Sequence, residues 1–199
     1  MRNTINTERL VLRPIGLGDV SELSKLGGAK SVAPMTAMIS TPFPELSAEF
    51  WIMQKCAQAR RGLSFAYAVT LGGGELLGVV ELTRAEVDAT LELSYWLGAP
   101  YWGHGYMIEA CRALIREAGE RLGAERISAG VFADNPKSLR LLRKLGFTAA
   151  QSYEAWFSMA RMEKARGVTL TLELSSLNQG EDNRGHAPLP FKSKLVMRA

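Results

Sequence analysis

Alternation of apolar and polar positions predicts the strands of this chain. Between residues 89 and 97, Leu91, Leu93, Tyr95 and Leu97 alternate with Glu92, Ser94 and Trp96, which places one set on each face of a sheet. Gly72-Gly73-Gly74 lies between two such segments and predicts a hairpin. The pattern predicts strands at residues 8–15, 65–71, 75–84, 89–97, 126–133, 147–157 and 168–177.

Apolar residues spaced three and four apart predict helices between these strands. In the segment 105–121 the apolar positions run from Ile108 to Leu122, and Gly123 ends the helix. Asn135 and Pro136 open another helix, which Gly146 ends. Earlier helices are expected from a cap at Asp19 to about Leu26, and over 46–61, capped by Ser47 with Phe50, Met53 and Ala57 facing inward.

The order of elements predicts an α/β fold with one mixed sheet. Strands 91–97 and 126–133 are joined by a helix, which indicates one parallel βαβ unit, whereas the earlier hairpin is antiparallel. We therefore expect a mostly antiparallel sheet of six to seven strands with helices on both faces. Residues 1–177 are expected to form a single domain, and residues 178–199 a tail that is flexible or docked on the body.

Charge and cysteine usage narrow the function classes. The chain has 199 residues and a net charge of +4, of which the tail supplies +2 through four Lys/Arg and two acidic residues, so the body is too weakly basic to favour nucleic acid. Cys56 and Cys111 have no neighbours at metal-ligand spacing, so no metal site is expected. No segment has a signal-peptide or membrane-span pattern, and we expect a cytoplasmic protein with no membrane partner.

The segment 93–107 carries the most specific chemistry. A strand leads into a turn with Gly103 and Gly105, and a helix starts immediately afterwards. The first amides of a helix lack intrahelical partners and carry partial positive charge, and glycine lets an anion approach the backbone closely. The arrangement predicts a site for a phosphate or pyrophosphate.

Three motifs in order resemble the Gcn5-related N-acetyltransferases, in particular the subgroup that acetylates the N-termini of ribosomal proteins. They are Thr7-Glu8-Arg9-Leu10-Val11-Leu12-Arg13-Pro14, the segment from Tyr95-Trp96-Leu97 through Trp102-Gly103-His104-Gly105-Tyr106 to Glu109-Ala110, and the segment from Asn135-Pro136-Lys137-Ser138 to Leu145-Gly146-Phe147. The resemblance covers about residues 7–176. It departs from the usual pattern at Trp102, Met107 and Ile108, where Met107 could crowd a pyrophosphate or point into the core.

The resemblance implies acetyl-CoA as the cofactor. The backbone of strand 91–97 would pair with the pantetheine arm, the amides from Trp102 to Met107 would hold the pyrophosphate, and Asn135 and Ser138 would flank the thioester. The cofactor-binding residues expected on this basis are Tyr95, Trp96, Leu97, Trp102, Gly103, His104, Gly105, Tyr106, Met107, Asn135 and Ser138.

The reaction implied by the resemblance is direct attack of a neutral amine on the thioester, which needs a base, an acid and donors for the developing oxyanion. Ser138 is the candidate acid for the departing thiolate. Glu92 and Glu81 are both candidate bases, since a carboxylate between sheet and acceptor cleft would have its pKa raised by desolvation. Glu109, one turn into the helix, is expected to interact favourably with the helix dipole. Cys111 is expected to be a core residue rather than a nucleophile.

The acceptor is expected near residues 30–44 and 153–166. Met35, Met38, Phe43, Trp156 and Phe157 make these segments apolar, which favours a peptide or protein N-terminus or a small-molecule amine over a polycation. A homodimer is expected by analogy with the family. One alternative stays open at this point, a non-catalytic acyl-CoA sensor on the same fold. A dinucleotide-binding oxidoreductase fails on detail, because Ile108 stands where a third glycine is required.

Overall fold

The computed structural model of the chain describes residues 1–84 and 90–174, which build one eight-stranded sheet. The strand order is β1-β2-β3-β4-β5-β6-β8-β7, and all neighbours are antiparallel except β5 and β6. The mixed α/β sheet is confirmed, with one strand beyond the seven predicted, because β1 is too short to show a period. The strands are β1 Ile5–Asn6, β2 Leu10–Pro14, β3 Ser64–Leu71, β4 Leu76–Arg84, β5 Leu91–Leu97, β6 Arg126–Phe132, β7 Thr148–Ser158 and β8 Glu163–Glu173.

Helices cover both faces of the sheet. They are α1 Val20–Glu22, α2 Glu45–Arg60, α3 Tyr106–Leu122 and α4 Pro136–Lys144. The predicted helix from Asp19 is irregular, because a 3-10 turn precedes α1 and a π-helical segment, Leu23–Gly27, follows it. The Asp19 carboxylate accepts the Gly16 amide hydrogen bond at 2.9 Å and pairs with both terminal nitrogens of Arg13.

Two apolar cores lie on opposite faces of the sheet. The larger packs α3 and α4 against sheet residues such as Leu82, Leu93 and Leu170. The smaller packs α2 and the segment before it against residues that include Val79 and Trp96. We call these the α3 face and the α2 face. Cys111 lies wholly within the α3-face core, where burial raises the pKa of its thiol, so it is a packing residue as expected.

The orientation predicted for α2 is wrong. Ala48 and Ile52 are the buried residues of this helix, whereas Phe50 is 70% exposed and Met53 57% exposed. Apolar side chains occur all round the helix, so periodicity cannot select the buried face. The helix also begins one turn earlier than Ser47 would cap it, after Pro44. The outward face of α2 is thus an apolar surface.

The last hairpin is tighter than the sequence predicts. Strand β8 starts at Glu163 rather than at residue 168, and Met162 adopts the left-handed conformation with φ of 55°. No glycine or asparagine marks that turn, so the sequence carries no turn signal there. The tail 178–199 lies outside the described residues. Within 1–84 and 90–174 no helix is long and apolar enough to cross a membrane.

Candidate active site

Strands β5 and β6 separate along their length. They pair at Leu91–Ile127 and Glu92–Ser128, and then continue to Leu97 and Phe132 without further pairing. Since Gly98 donates its amide to Leu77 on the β4 side, alternation along an antiparallel strand turns the amides of Tyr95 and Leu97 toward β6. These amides face the opening between the two strands, where an extended amide-bearing chain can pair with them.

The glycine turn follows β5 at the mouth of this opening. Gly103 and Gly105 have φ of 85° and 79°, which favour glycine, and a Cβ on Gly103 would meet no atom within 4 Å. Helix α3 then begins at Tyr106, so its first amides and the positive end of its dipole point toward the turn. The turn therefore offers an open cradle with the properties of a phosphate site.

Residues at the start of β2 hold the glycine turn in place. Glu109, in the first turn of α3, accepts hydrogen bonds from the Thr7 hydroxyl at 2.6 Å and from the Arg9 amide at 2.9 Å, and it also pairs with the Arg9 guanidinium. Arg9 donates to the His104 carbonyl at 2.9 Å and lies over the Tyr106 ring. We call Thr7, Arg9 and Glu109 the loop clamp.

The loop clamp sets the charge state of Glu109. Partial burial acts to raise the pKa of this carboxyl, but the hydrogen bonds from Thr7 and Arg9 outweigh it and hold the pKa below its usual value. The role of Arg9 was missed from the sequence. The motif 7–14 was the available signal, but nothing local in it identifies Glu109 as the partner.

A hydrogen-bonded pair of hydroxyls spans the opening on the α3 face. The Tyr95 hydroxyl lies 2.7 Å from Ser138 Oγ, which brings β5 and the first turn of α4 together. Asn135 caps α4 as predicted, because its Oδ1 accepts the Ser138 amide at 3.1 Å. Burial raises the pKa of the Tyr95 phenol well above its usual value, so this hydroxyl stays protonated.

Trp102 connects the end of β5 to α4. Its indole Nε1 donates to the Leu97 carbonyl at 2.7 Å, and Lys137 Nζ lies 3.8 Å from the centroid of its ring. The Trp96 side chain, by contrast, lies in the core of the α2 face, and its amide faces β4. Trp96, predicted as a cofactor contact, therefore presents neither its side chain nor its amide to the opening. His104 is exposed and stacks on Tyr106.

Met107 points away from the glycine turn. Its side chain is 5% exposed and belongs to the α3-face core, so of the two orientations left open by the sequence the structure selects the core. Ile108 packs partly against the same core. At Met107 and Ile108 the departure from the family pattern is thus directed into the fold.

The two candidate bases have different environments on the α2 face. Glu81 is buried between β4 and α2, where its Oε1 lies 2.6 Å from Lys55 Nζ and accepts from the Ser64 and Thr83 hydroxyls, while its Oε2 accepts from Ser94. Glu92 is exposed and belongs to the last pair of β5 and β6 before these strands part. Only Glu92 therefore stands open at the inner end of the separation.

The two segments expected to receive the acceptor do meet on the α2 face. The Met159 amide donates to the Ala37 carbonyl at 2.9 Å, and the Ser158 hydroxyl donates to the Thr36 carbonyl at 3.0 Å. Trp156 lies on this face, whereas Phe157, the next residue along β7, faces the other side. Phe43 is buried in the α2-face core and lines no cleft.

Comparison with known proteins agrees with this architecture. A family model described as an acetyltransferase (GNAT) domain matches residues 9–148. An N-acetyltransferase p20 of Bacillus licheniformis, described as uncharacterized, is 27% identical over 181 residues, which is 89% of this chain and 97% of that protein. The ribosomal-protein-serine acetyltransferase of Escherichia coli is 32% identical over 74 residues, 37% of this chain and 41% of that enzyme.

Solved structures share the fold at low identity. RimJ of Mycobacterium smegmatis in complex with CoA-disulfide has a TM-score of 0.77 at 18% identity, covering 87% of this chain and 88% of that one. The ribosomal-protein-S5-alanine acetyltransferase of Vibrio fischeri has a TM-score of 0.72 at 18% identity, covering 85% and 93%. With the family model spanning most of the chain, these findings establish that the chain belongs to the GNAT acetyltransferase family and is an acetyl-CoA-dependent N-acetyltransferase.

Proposed function

We propose that the chain acetylates the N-terminal amine of a polypeptide, with residues 1–177 as the catalytic unit. The observation that carries this proposal is the opening between β5 and β6, with the glycine turn at its mouth and an apolar surface on the α2 face. The names of relatives that act on ribosomal proteins support a polypeptide acceptor.

The chain's own groups suit the two ends of acetyl-CoA. The open cradle at Gly103 and the first amides of α3 fit the pyrophosphate, and the inward amides of Tyr95 and Leu97 fit the pantetheine arm. Acetyl-CoA supplies the activated acetyl group. An inward amide of β5 that the pantetheine arm leaves unpaired would stabilise the oxyanion that develops on the thioester carbonyl.

Glu92 and Ser138 divide the proton transfers. Glu92 lies on the α2 face and takes the proton of the attacking ammonium, directly or through water, so that the amine nitrogen forms its bond to the acetyl carbon. The carbon–sulfur bond breaks, and Ser138 on the α3 face gives its proton to the departing thiolate. The Tyr95 hydroxyl, 2.7 Å away, keeps its own proton and stabilises the serine oxygen by a hydrogen bond, and a proton from water restores Ser138.

Glu92 is a better base than Glu81 because of what surrounds each carboxylate. Glu81 is 4% exposed, and its carboxylate is held by the 2.6 Å contact with Lys55 and by the Ser64 and Thr83 hydroxyls. A carboxylate held by these partners is not available to the attacking amine. Glu92 has no such cationic partner among its described contacts and is open to water and acceptor.

A pair of matched variants tests the assignment. We expect Glu92→Gln to lower kcat by about 10²–10⁴-fold, with the KM for acetyl-CoA unchanged. Glu81→Gln should mainly lower thermal stability. Loss of kcat in Glu81→Gln with normal turnover in Glu92→Gln would overturn the choice of base.

A panel of acceptors tests the function itself. Release of free thiol from acetyl-CoA is measured with peptides bearing free N-termini and with small amines. Turnover on peptides supports the proposal, and turnover on small amines alone refutes the polypeptide acceptor. Acetyl-CoA binding with no turnover on any amine would support the alternative, a non-catalytic acyl-CoA sensor.

A further inference from the structure

On the α2 face, the indole of Trp156 packs flat against β6 and β8 at two glycine positions. Trp156 lies across Gly130 and Gly167: a Cβ on Gly130 would come 3.0 Å from the Trp156 ring, and a Cβ on Gly167 would overlap it. Both glycines have extended conformations open to any residue, so the space for the ring, rather than a turn, requires them. Gly130 lies beyond Ser128, in the part of β6 that has left β5. The far edge of the ring therefore reaches β6 beside the opening, and we call this ring the wall.

The indole is fixed on its other sides as well. Its Nε1 donates to Glu154 Oε2 at 2.9 Å, and its ring meets the Phe132 ring edge-on with centroids 6.2 Å apart. Phe132 is the last residue of β6, at the wide end of the separation. A rigid aromatic surface held in this way presents apolar area at little conformational cost.

Four exposed methionines continue this apolar surface outward. Met35 and Met38 come from the loop before α2, Met159 and Met162 from the turn between β7 and β8, and Met38 and Met162 are 73% and 75% exposed. The two segments are joined by the Met159–Ala37 backbone hydrogen bond. We call these four residues the methionine rim. Flexible thioether side chains suit apolar partners of varied shape.

The carboxylates beside the wall are already engaged. Asp134, which follows β6, accepts from both terminal nitrogens of Arg161 at 2.7 and 3.0 Å, and these hydrogen bonds lower its pKa below the usual value. Glu154 accepts from the indole. Arg161 also donates to the Pro34 carbonyl, so it joins β6, the hairpin turn and the loop. Because these two carboxylates are engaged, the wall favours apolar side chains over cationic ones.

Resting on the proposed function, we propose that Trp156 and the methionine rim bind apolar side chains at the second and third positions of the acceptor polypeptide. The wall reaches Gly130, two residues along β6 from Ser128, which pairs with Glu92. A chain whose terminal amine reaches Glu92 would therefore lay its next residues along the wall and the methionine rim. Selection then acts on the residues after the acetylated one.

Peptides that share one N-terminal serine test this inference. The second and third residues are Leu-Phe, Asp-Asp or Lys-Lys, and kcat/KM is measured for each at saturating acetyl-CoA. We expect the Leu-Phe peptide to exceed both charged peptides by about tenfold or more, a typical discrimination for apolar side chains in an apolar site. Equal kcat/KM for the three peptides would overturn the inference and leave the proposed function intact. A lack of turnover on every peptide would overturn both the inference and the proposed function.

Variants connect the preference to the surface. Trp156→Ala and the double variant Met38→Gln/Met162→Gln should reduce the preference and leave the KM for acetyl-CoA unchanged. The double variant changes only exposed side chains, so it keeps the test valid if Trp156→Ala fails to fold. Phe157→Ala is the matched control, because Phe157 is exposed on the opposite side of β7, and it should retain the full preference. An unaltered preference in the methionine double variant and in a folded Trp156→Ala would contradict the proposal.

Discussion

Met107 occupies a position beside the anion cradle but contributes to the core. Because its side chain is almost completely buried, Met107→Ala should lower the free energy of unfolding by about 2–5 kcal/mol through lost burial and a cavity. The Kd for acetyl-CoA should stay unchanged, since in the proposed site the backbone of the turn, and not the Met107 side chain, makes the contacts. Urea denaturation and calorimetric titration measure the two quantities. A stable variant with an altered Kd would show that the Met107 side chain reaches the cofactor. His104→Ala is the control for stability, because His104 is exposed and its removal should leave the free energy of unfolding nearly unchanged.

Individual site residues were predictable where the signal is local. The two glycines and the Asn135 cap are read from a few adjacent residues, and their conformations follow from that local chemistry. Tyr95 and Ser138 are 43 residues apart, and Arg9 and Glu109 are 100 apart, so only the folded sheet reveals that they pair. Sequence reasoning named Tyr95 and Ser138 separately and could not anticipate the hydroxyl pair.

At the scale of elements, strands were more predictable than helix faces. Strand β4 was predicted at 75–84 and found at Leu76–Arg84, because alternation and the glycine hairpin both mark its bounds. Helix α2 was found close to its predicted bounds, yet with Ile52 rather than Phe50 inward. An apolar stripe determines a buried face only when the opposite stripe is polar, and α2 has no such contrast.

The loop clamp makes the stability of the start of α3 depend on pH. Because the clamp lowers the pKa of Glu109 in the folded state, its stabilisation is fully present above the unfolded pKa of about 4.3 and is lost as pH falls toward the folded pKa. The difference in Tm between the wild type and Glu109→Gln should therefore be constant between pH 6 and 8 and shrink below about pH 4.3. Thermal unfolding followed by circular dichroism measures it. A difference that persists or grows on acidification would show that the carboxylate charge is not what the clamp uses.

At the scale of the whole molecule, one parallel strand pair interrupts an otherwise antiparallel sheet, and that pair separates. The separation leaves the Tyr95 and Leu97 amides facing the opening, whereas the Trp96 amide faces β4 within the antiparallel ladder. Filling the opening should therefore slow hydrogen exchange selectively. On addition of acetyl-CoA we expect exchange at Tyr95 and Leu97 to slow markedly, while Trp96, already bonded, changes little. Residue-resolved exchange by NMR distinguishes these neighbours, and Trp96 serves as the internal control. If acetyl-CoA raised the Tm without slowing exchange at Tyr95 and Leu97, the donor would bind elsewhere than along β5.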